Sequence, residues 1–310
     1  MTLPTKSPRR ARARTTGRSR RRSPDLRPEV LEGRTLLAFD ALLTLIDVAG
    51  NPLPAVVVQS YSFHSGNSFT PGSTVGTAAK PSFGPLNLTI NQSIADAALV
   101  ADLTSGARLK SATLTVPQGA LGNGATAPSL EIDLSKVVVT SYNLQGDGNG
   151  PPTVALGLTY GAIQVTADPT IPGGSPGAKI TGGYDAETNL PNGSDAIVLP
   201  QPASTPVVGL TLGGTAGELP VLDYTFGLTH PAGGKATDSA LTLTADASTA
   251  DPGFLVNLAA GKHIPSAVIH ANRQLTSATQ REVQTITLTD VVVTQYSTAR
   301  NLGVAVHRVG

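Results

Sequence analysis

The sequence contains no cysteine. Neither a disulfide framework nor a thiolate metal site is available to it, and cysteine usage says nothing about compartment. Tryptophan is also absent and aromatic residues make up only 4% of the chain. No stretch approaches the roughly 20 apolar residues of a membrane-spanning helix; the best candidate, after Leu36, is broken by Asp40 and Asp47. What is plentiful is Gly (33), Pro (24), Thr and Val, a composition that favours short strands joined by tight turns and predicts an all-β protein. At 310 residues the chain has room for two domains of ordinary size.

The net charge of +1 conceals a polarised chain. Residues 1–34 hold eleven of the 22 Lys and Arg and three of the 21 acids, which leaves 11 basic and 18 acidic residues for the remainder. The basic stretch, Pro8-Arg9-Arg10 through Arg20-Arg21-Arg22, has no apolar periodicity to offset ordering entropy and reads as a disordered arm over 1–37. Such an arm can meet nucleic acid or an anionic surface by charge alone, but the acidic body offers no basic groove to extend that contact, which argues against nucleic acid as a partner. Leu31-Glu32-Gly33-Arg34-Thr35-Leu36-Leu37-Ala38 follows. It resembles the LExRxLLS/A motif of exported planctomycete proteins, and that resemblance implies a secreted or cell-surface protein, cytoplasmic before export. The apolar core of an ordinary secretory signal is missing.

The chain repeats itself. Leu86-Asn87-Leu88-Thr89-Ile90 matches Leu241-Thr242-Leu243-Thr244-Ala245 at an offset of 155, and Gly106 with Gly261 and Ser111-Ala112 with Ser266-Ala267 keep that offset. With one residue deleted, Val137-Val138-Val139-Thr140-Ser141-Tyr142 matches Val291-Val292-Val293-Thr294-Gln295-Tyr296. A shared order of features at one period marks two copies of a module.

Within the first copy, alternation places Leu86, Leu88 and Ile90 on one strand face. It does the same for Leu114 with Val116, for Leu130, Ile132 and Leu134, and for Val154, Leu156, Leu158 and Tyr160. These faces are the expected core. One short helix is predicted per copy. The first starts at Ser93, where Ser93 and Asp96 have capping-box spacing, and stops before Gly106. The second starts at Asp251-Pro252 and ends at Gly261, since Pro is suited to the first helical position. Pro169 through Gly177 and the polar segment to Asp195 are dense in Pro and Gly and read as a linker, 169–204.

No catalytic or metal constellation emerges. His263 and His270 are seven apart, so on a strand they project to opposite faces. His64, His230 and His307 fall in predicted loops or near the terminus without partners. Gly213-Gly214-Thr215-Ala216-Gly217 lacks the Gly-Lys-Ser/Thr ending of a phosphate loop and reads as a hairpin turn. Gly146-Asp147-Gly148-Asn149-Gly150 and the group Asp185, Glu187 and Asn189 carry oxygen ligands of the kind calcium prefers, without EF-hand spacing; solvated loops are the plainer reading. No catalytic residue, metal ligand, cofactor or small-molecule substrate is assigned.

The order of signals in the first copy runs from Ser60-Tyr61-Ser62-Phe63, through a long Gly/Ser/Thr loop, to Lys80-Pro81-Ser82-Phe83, the helix, Lys136 to Tyr142, and Tyr160-Gly161-Ala162-Ile163. The order resembles that of Hcp, the haemolysin-coregulated protein family of type VI secretion systems, and Gly261 through Val268 with Leu288 through Tyr296 resemble it again. The resemblance implies two tandem Hcp-like β-barrels, each with one short helix, over 38–168 and 205–310. It further implies a non-enzymatic structural protein that self-associates into rings or tubes and meets secretion-apparatus proteins or effectors. The loop from His64 to Lys80, with Ser65, Gly66, Ser68, Gly72, Ser73 and Gly76, matches the loop the family uses between stacked rings; in the second copy it shrinks to about Thr229–Ala240. The last strand, expected at Leu302–Val306, should be short or poorly paired. The alternative is a secreted adhesive or matrix protein that keeps the Hcp fold, a reading favoured by the N-terminal motif.

Overall fold

Alternating aliphatic residues build most of the molecule as strands. The structure, a computed structural model, describes residues 41–67, 81–117, 128–146, 150–168, 170–171, 175–176, 178–202, 204–229, 237–238, 240–276, 279–301 and 304–309. The first copy opens with β1 (Ala41–Ile46), β2 (Val56–Gly66), β3 (Ser82–Phe83) and β4 (Leu86–Asn91). Helix α1 (Asp96–Ser105) leads to β5 (Arg108–Pro117), the 18-residue β6 (Pro128–Gln145), β7 (Thr153–Thr159) and β8 (Ala162–Ala167). Around the hydrogen-bonded neighbours, β1, β2, β4, β7, β6 and β5 return to β1 as a closed six-stranded barrel. Closure pairs the first strand of the sheet with the last.

Next come β9 (Thr170–Ile171), β10 (Ser175–Pro176), β11 (Ile180–Asp185) and β12 (Leu190–Gly193). The second copy follows with β13 (Val208–Leu212), β14 (Leu219–Thr225), β15 (Leu228–Thr229), β16 (Thr237–Asp238) and β17 (Thr242–Ala245). Helix α2 (Asp251–Ala260), β18 (His263–Thr276), β19 (Thr279–Val292), β20 (Gln295–Asn301) and β21 (Val304–Val309) complete it. The pairings β13–β14, β13–β18, β14–β17, β17–β21, β18–β19 and β20–β21 reproduce those of the first copy, with β19 and β20 taking the place of the single β6. Even the irregularities recur. A bulge at Gln59 in β2 has its counterpart at Leu222 in β14, and Lys136 and Asp290, at equivalent positions, both take positive φ, 54° and 57°.

The expected core faces are inside: Leu86, Leu88, Ile90, Leu114, Val116, Leu130, Ile132, Leu134, Val154, Leu156 and Leu158 are all buried. Tyr160 is half-buried, its hydroxyl donating to the Gly84 carbonyl at 2.9 Å. Both helices stop on a left-handed glycine, Gly106 (φ 66°) and Gly261 (φ 59°), a conformation that costs a residue with a Cβ about 1–2 kcal/mol. The start of α1 differs from expectation. Ser93 and Asp96 do exchange hydrogen bonds, Ser93 N–H to the Asp96 carboxylate and Asp96 N–H to the Ser93 carbonyl, but this closes a turn ahead of the helix, which begins at Asp96. Ser248 and Asp251 repeat the exchange before α2, again at an offset of 155.

Three expectations are corrected. The span 169–204, expected as a semi-extended linker, contains sheet strands: β11 is hydrogen-bonded along the whole of β8, and β12 pairs with β11. Its glycines allow this, because a Cβ on Gly183 would lie 2.2 Å from the Ile163 carbonyl oxygen. The strand expected at Leu302–Val306 is β21, Val304–Val309, and every one of its residues is paired with β20. His64 does not open a loop; β2 runs on through Gly66, held by β3 and β20.

Candidate assembly surface

The two copies are joined by a strand pair. β20 of the second copy lies antiparallel to β2 of the first, with Tyr61 opposite Arg300, Phe63 opposite Thr298 and Ser65 opposite Tyr296. This pairing merges both barrels into one continuous seventeen-stranded sheet, and Phe39–Gly310 forms one compact unit.

The junction is dry and tightly bonded. Tyr296 and Thr298 are 0% exposed, and Tyr61, Phe63 and Ser65 are 3%, 2% and 0% exposed. Phe63 is the aromatic centre, with Phe83, Tyr160 and Tyr296 each 6.4 Å away between ring centroids. Several polar groups taken out of water here find partners, whereas the buried Asn67 Oδ1 has none among the described residues. Ser65 Oγ donates to the Tyr296 carbonyl at 3.2 Å, Asn67 Nδ2 donates to the Leu258 carbonyl at 2.9 Å, and Tyr61 Oη lies 3.5 Å from Thr298 Oγ1.

Helix α2 is sealed by the same junction. Its residues Asp251 through Ala259 are all buried, because one side packs on its own barrel and another on β8, β11 and β12 of the first copy. Contact with β11 is close enough that a Cβ on Gly182 would sit 2.3 Å from the Pro252 carbonyl oxygen. Lys262 Nζ and Asp195 Oδ2 close the outer edge at 2.5 Å. Burial pushes the Asp251 carboxyl up to about 8, outweighing the Ser248 N–H that favours its charged form. Burial, then the Asp251 charge, raises the Tyr296 phenol as well.

The structure separates the residues assigned to the ring-stacking loop. Ser65 and Gly66 belong to β2, Ser65 being a buried junction residue; Ser68, Gly72, Ser73 and Gly76 lie outside the described residues. The histidines are apart. His263 Nδ1 is 2.7 Å from Asp290 Oδ1 and His270 Nδ1 is 2.9 Å from Glu282 Oε2, both across β18 and β19. His64 lies in β2, His307 lies in β21, and His230 is outside the described residues. Asp185 Oδ1 accepts the Glu187 and Thr188 N–H groups, Glu187 pairs with Lys136 of β6, and Asn189 Oδ1 accepts the Tyr184 hydroxyl, so each member of this group has its own partner. The Gly213–Gly217 stretch is the β13–β14 turn, closed by Thr215 N–H on the Leu212 carbonyl. Among the described residues no group of three His, Asp or Glu side chains could hold a metal ion, and no helix is long and apolar enough to cross a membrane.

A pair of closed barrels, each with one helix and with matching strand order, defines a tandem β-barrel protein whose most elaborated feature is the surface between its barrels. The family model described as "Type VI secretion system effector, Hcp" matches residues 55–166 and 215–308, once per copy and over more than half of the chain. The chain belongs to the Hcp family. Among solved structures it is similar to one titled a type six secretion system protein, at 20% identity with a TM-score of 0.43, covering 49% of this chain and 99% of that one. Hcp1 from Salmonella typhimurium gives 18% identity and a TM-score of 0.37, covering 48% and 95%. Hcp3 from Pseudomonas aeruginosa gives 14% and 0.33, covering 47% and 97%. No curated protein sequence matches.

Proposed function

We propose that the protein is a non-enzymatic ring or tube component in which one chain supplies two of the ring's modules, 38–168 and 205–310. The observation that carries this is the β2–β20 pair, a head-to-tail joint between two like modules. A heterologous joint that repeats with a constant rotation closes into a ring, and six modules would then need three chains. Membership of the Hcp family supports the reading. Secretion-apparatus proteins or effectors are its expected partners, and export its expected fate. A secreted adhesive or matrix role is the second reading, favoured by Leu31 through Ala38.

Negative-stain microscopy and mass photometry of the full chain test the choice. Rings with a lumen and a mass of three chains support the first reading; uniform monomers at all concentrations sink it in favour of the second.

A further inference from the structure

Strands β18 and β19 continue past their barrel as a two-stranded arm. β13 pairs with β18 no further along than Ala271, and among the described residues β19 pairs only with β18, so the stretch from Arg273 to Arg281 has no other strand beside it. Two bulges interrupt this arm. The first, between Ala271 and Asn272, leaves Val283 of β19 unpaired, and the second, between Gln274 and Thr276, leaves Leu275 of β18 unpaired. Both side chains stay in water, Val283 at 60% and Leu275 at 58% exposure. Between the bulges the ladder sets Arg273 directly opposite Arg281, both exposed.

Such a pair works against folding, because like charges directly opposite in an antiparallel ladder repel. Neither guanidinium forms an ion pair among the described residues. Glu282, the acid next to Arg281 in the chain, is already engaged by His270 Nδ1 at 2.9 Å and by the Thr285 hydroxyl. The module does not require the arginines either. Val116 opposite Leu130 is the ladder pair equivalent to Ala271 opposite Gln284, and the tip beyond it, 117–129, contains no charged residue.

The arrangement fits a ligand that carries carboxylates. Arg273 and Arg281 line a groove of about 260 Å3 together with Leu275, Glu282 and Val283. A guanidinium holds a carboxylate through two parallel hydrogen bonds, and the bulged Leu275 and Val283 add apolar contact beside it. Bulges commonly re-aim side chains in this way at functional surfaces. A long polyanion fits less well, since residues 35–310 hold 18 acids against 11 bases, a field that repels nucleic acid or an anionic membrane.

We infer that the β18–β19 arm binds an extended acidic segment of a partner protein, with its carboxylates between Arg273 and Arg281 and its neighbouring apolar side chains against Leu275 and Val283. The site lies within one module of one chain and stands whether or not chains join into rings.

Selection of phage-displayed random octapeptides on the full chain tests this. Enriched sequences should carry Asp or Glu close to Leu, Ile, Val or Phe. A synthetic peptide of the enriched sequence should bind the Arg273→Gln/Arg281→Gln variant about tenfold or more weakly, while the thermal midpoint of that variant does not fall. Arg273→Lys/Arg281→Lys keeps the charge without the planar fork and should lose most of the affinity as well. Failure to enrich acidic sequences, or equal binding of the peptide to the Gln variant, would overturn the site. Tighter binding of a single-stranded oligonucleotide or of phosphatidylserine vesicles than of the peptide would overturn the assignment of a protein partner. Loss of self-association in the Gln variant would do the same, because the occupant would then be a second copy of this chain.

Discussion

Asp251 offers a direct measure of how dry the module joint is. The carboxyl begins α2 at 2% exposure and ionises near pH 8, while in the unfolded chain it ionises near its ordinary value of 3.8. Between those values the folded chain holds a proton that the unfolded chain has released, so stability is greatest at low pH and falls as pH rises through the window. Each tenfold difference in proton affinity is worth about 1.4 kcal/mol, which sets a ceiling of about 4 kcal/mol lost between pH 5 and pH 8. Water entering around the ionised group should reduce this to about 2 kcal/mol. The Asp251→Asn variant keeps an oxygen to accept the Ser248 N–H and has no proton to lose. Urea unfolding of both proteins from pH 5 to pH 9 should show the variant gaining on the parent as pH rises, with crossing or convergence on the alkaline side. Curves that stay parallel within about 0.5 kcal/mol would show that the carboxyl is hydrated in the folded state and that the joint is wetter than the packing indicates.

Gly182→Val should cost about 1–3 kcal/mol or more through overpacking against Pro252, and hydrogen exchange should quicken first in α2. Leu134→Ala, at a fully buried position beside β8, should cost about 2–5 kcal/mol. The equivalent Leu288→Ala should cost much less, since Leu288 is only half-buried and, among the described residues, no strand equivalent to β8 pairs beside β19; thermal melts of the two variants check the difference.

Period-two alternation made the barrel cores legible because each strand buries one face, and the helix ends were legible because Gly106 and Gly261 are where the chain must turn left-handed. What escaped lies in relations between distant residues. The Tyr61–Tyr224 equivalence falls at an offset of 163, not 155, because the intervening loops differ in length, and a search at one period passes over it. Ser248 repeats Ser93 at the found offset, a signal that was present and usable. The segment from Pro169 to Asp195 reads as a linker from its Pro and Gly density and lack of periodicity, and Gly182 and Gly183 within it are poor strand formers. They are in β11 because the space between β8 and α2 admits no side chain there, a fact that local composition does not carry. Ser65 falls in the loop expected from the family resemblance, although it lies in β2 and β20 covers it completely.

The strand pair that unites the barrels also sets an order of events during synthesis. Ser65 meets Tyr296 across a separation of 231 residues, so β2 emerges from the ribosome long before the strand that covers it exists. Contacts of such long range are formed late, because the intervening loop must be closed before they repay its entropy. Through most of translation the nascent first barrel carries an open apolar edge with Phe63 on it, and a chain that stalls before Gln295 keeps that edge. Two complete chains whose own β2–β20 pairs have not yet closed can cover each other's edges by exchanging second modules, which makes domain-swapped pairs the expected misfolded product of this architecture.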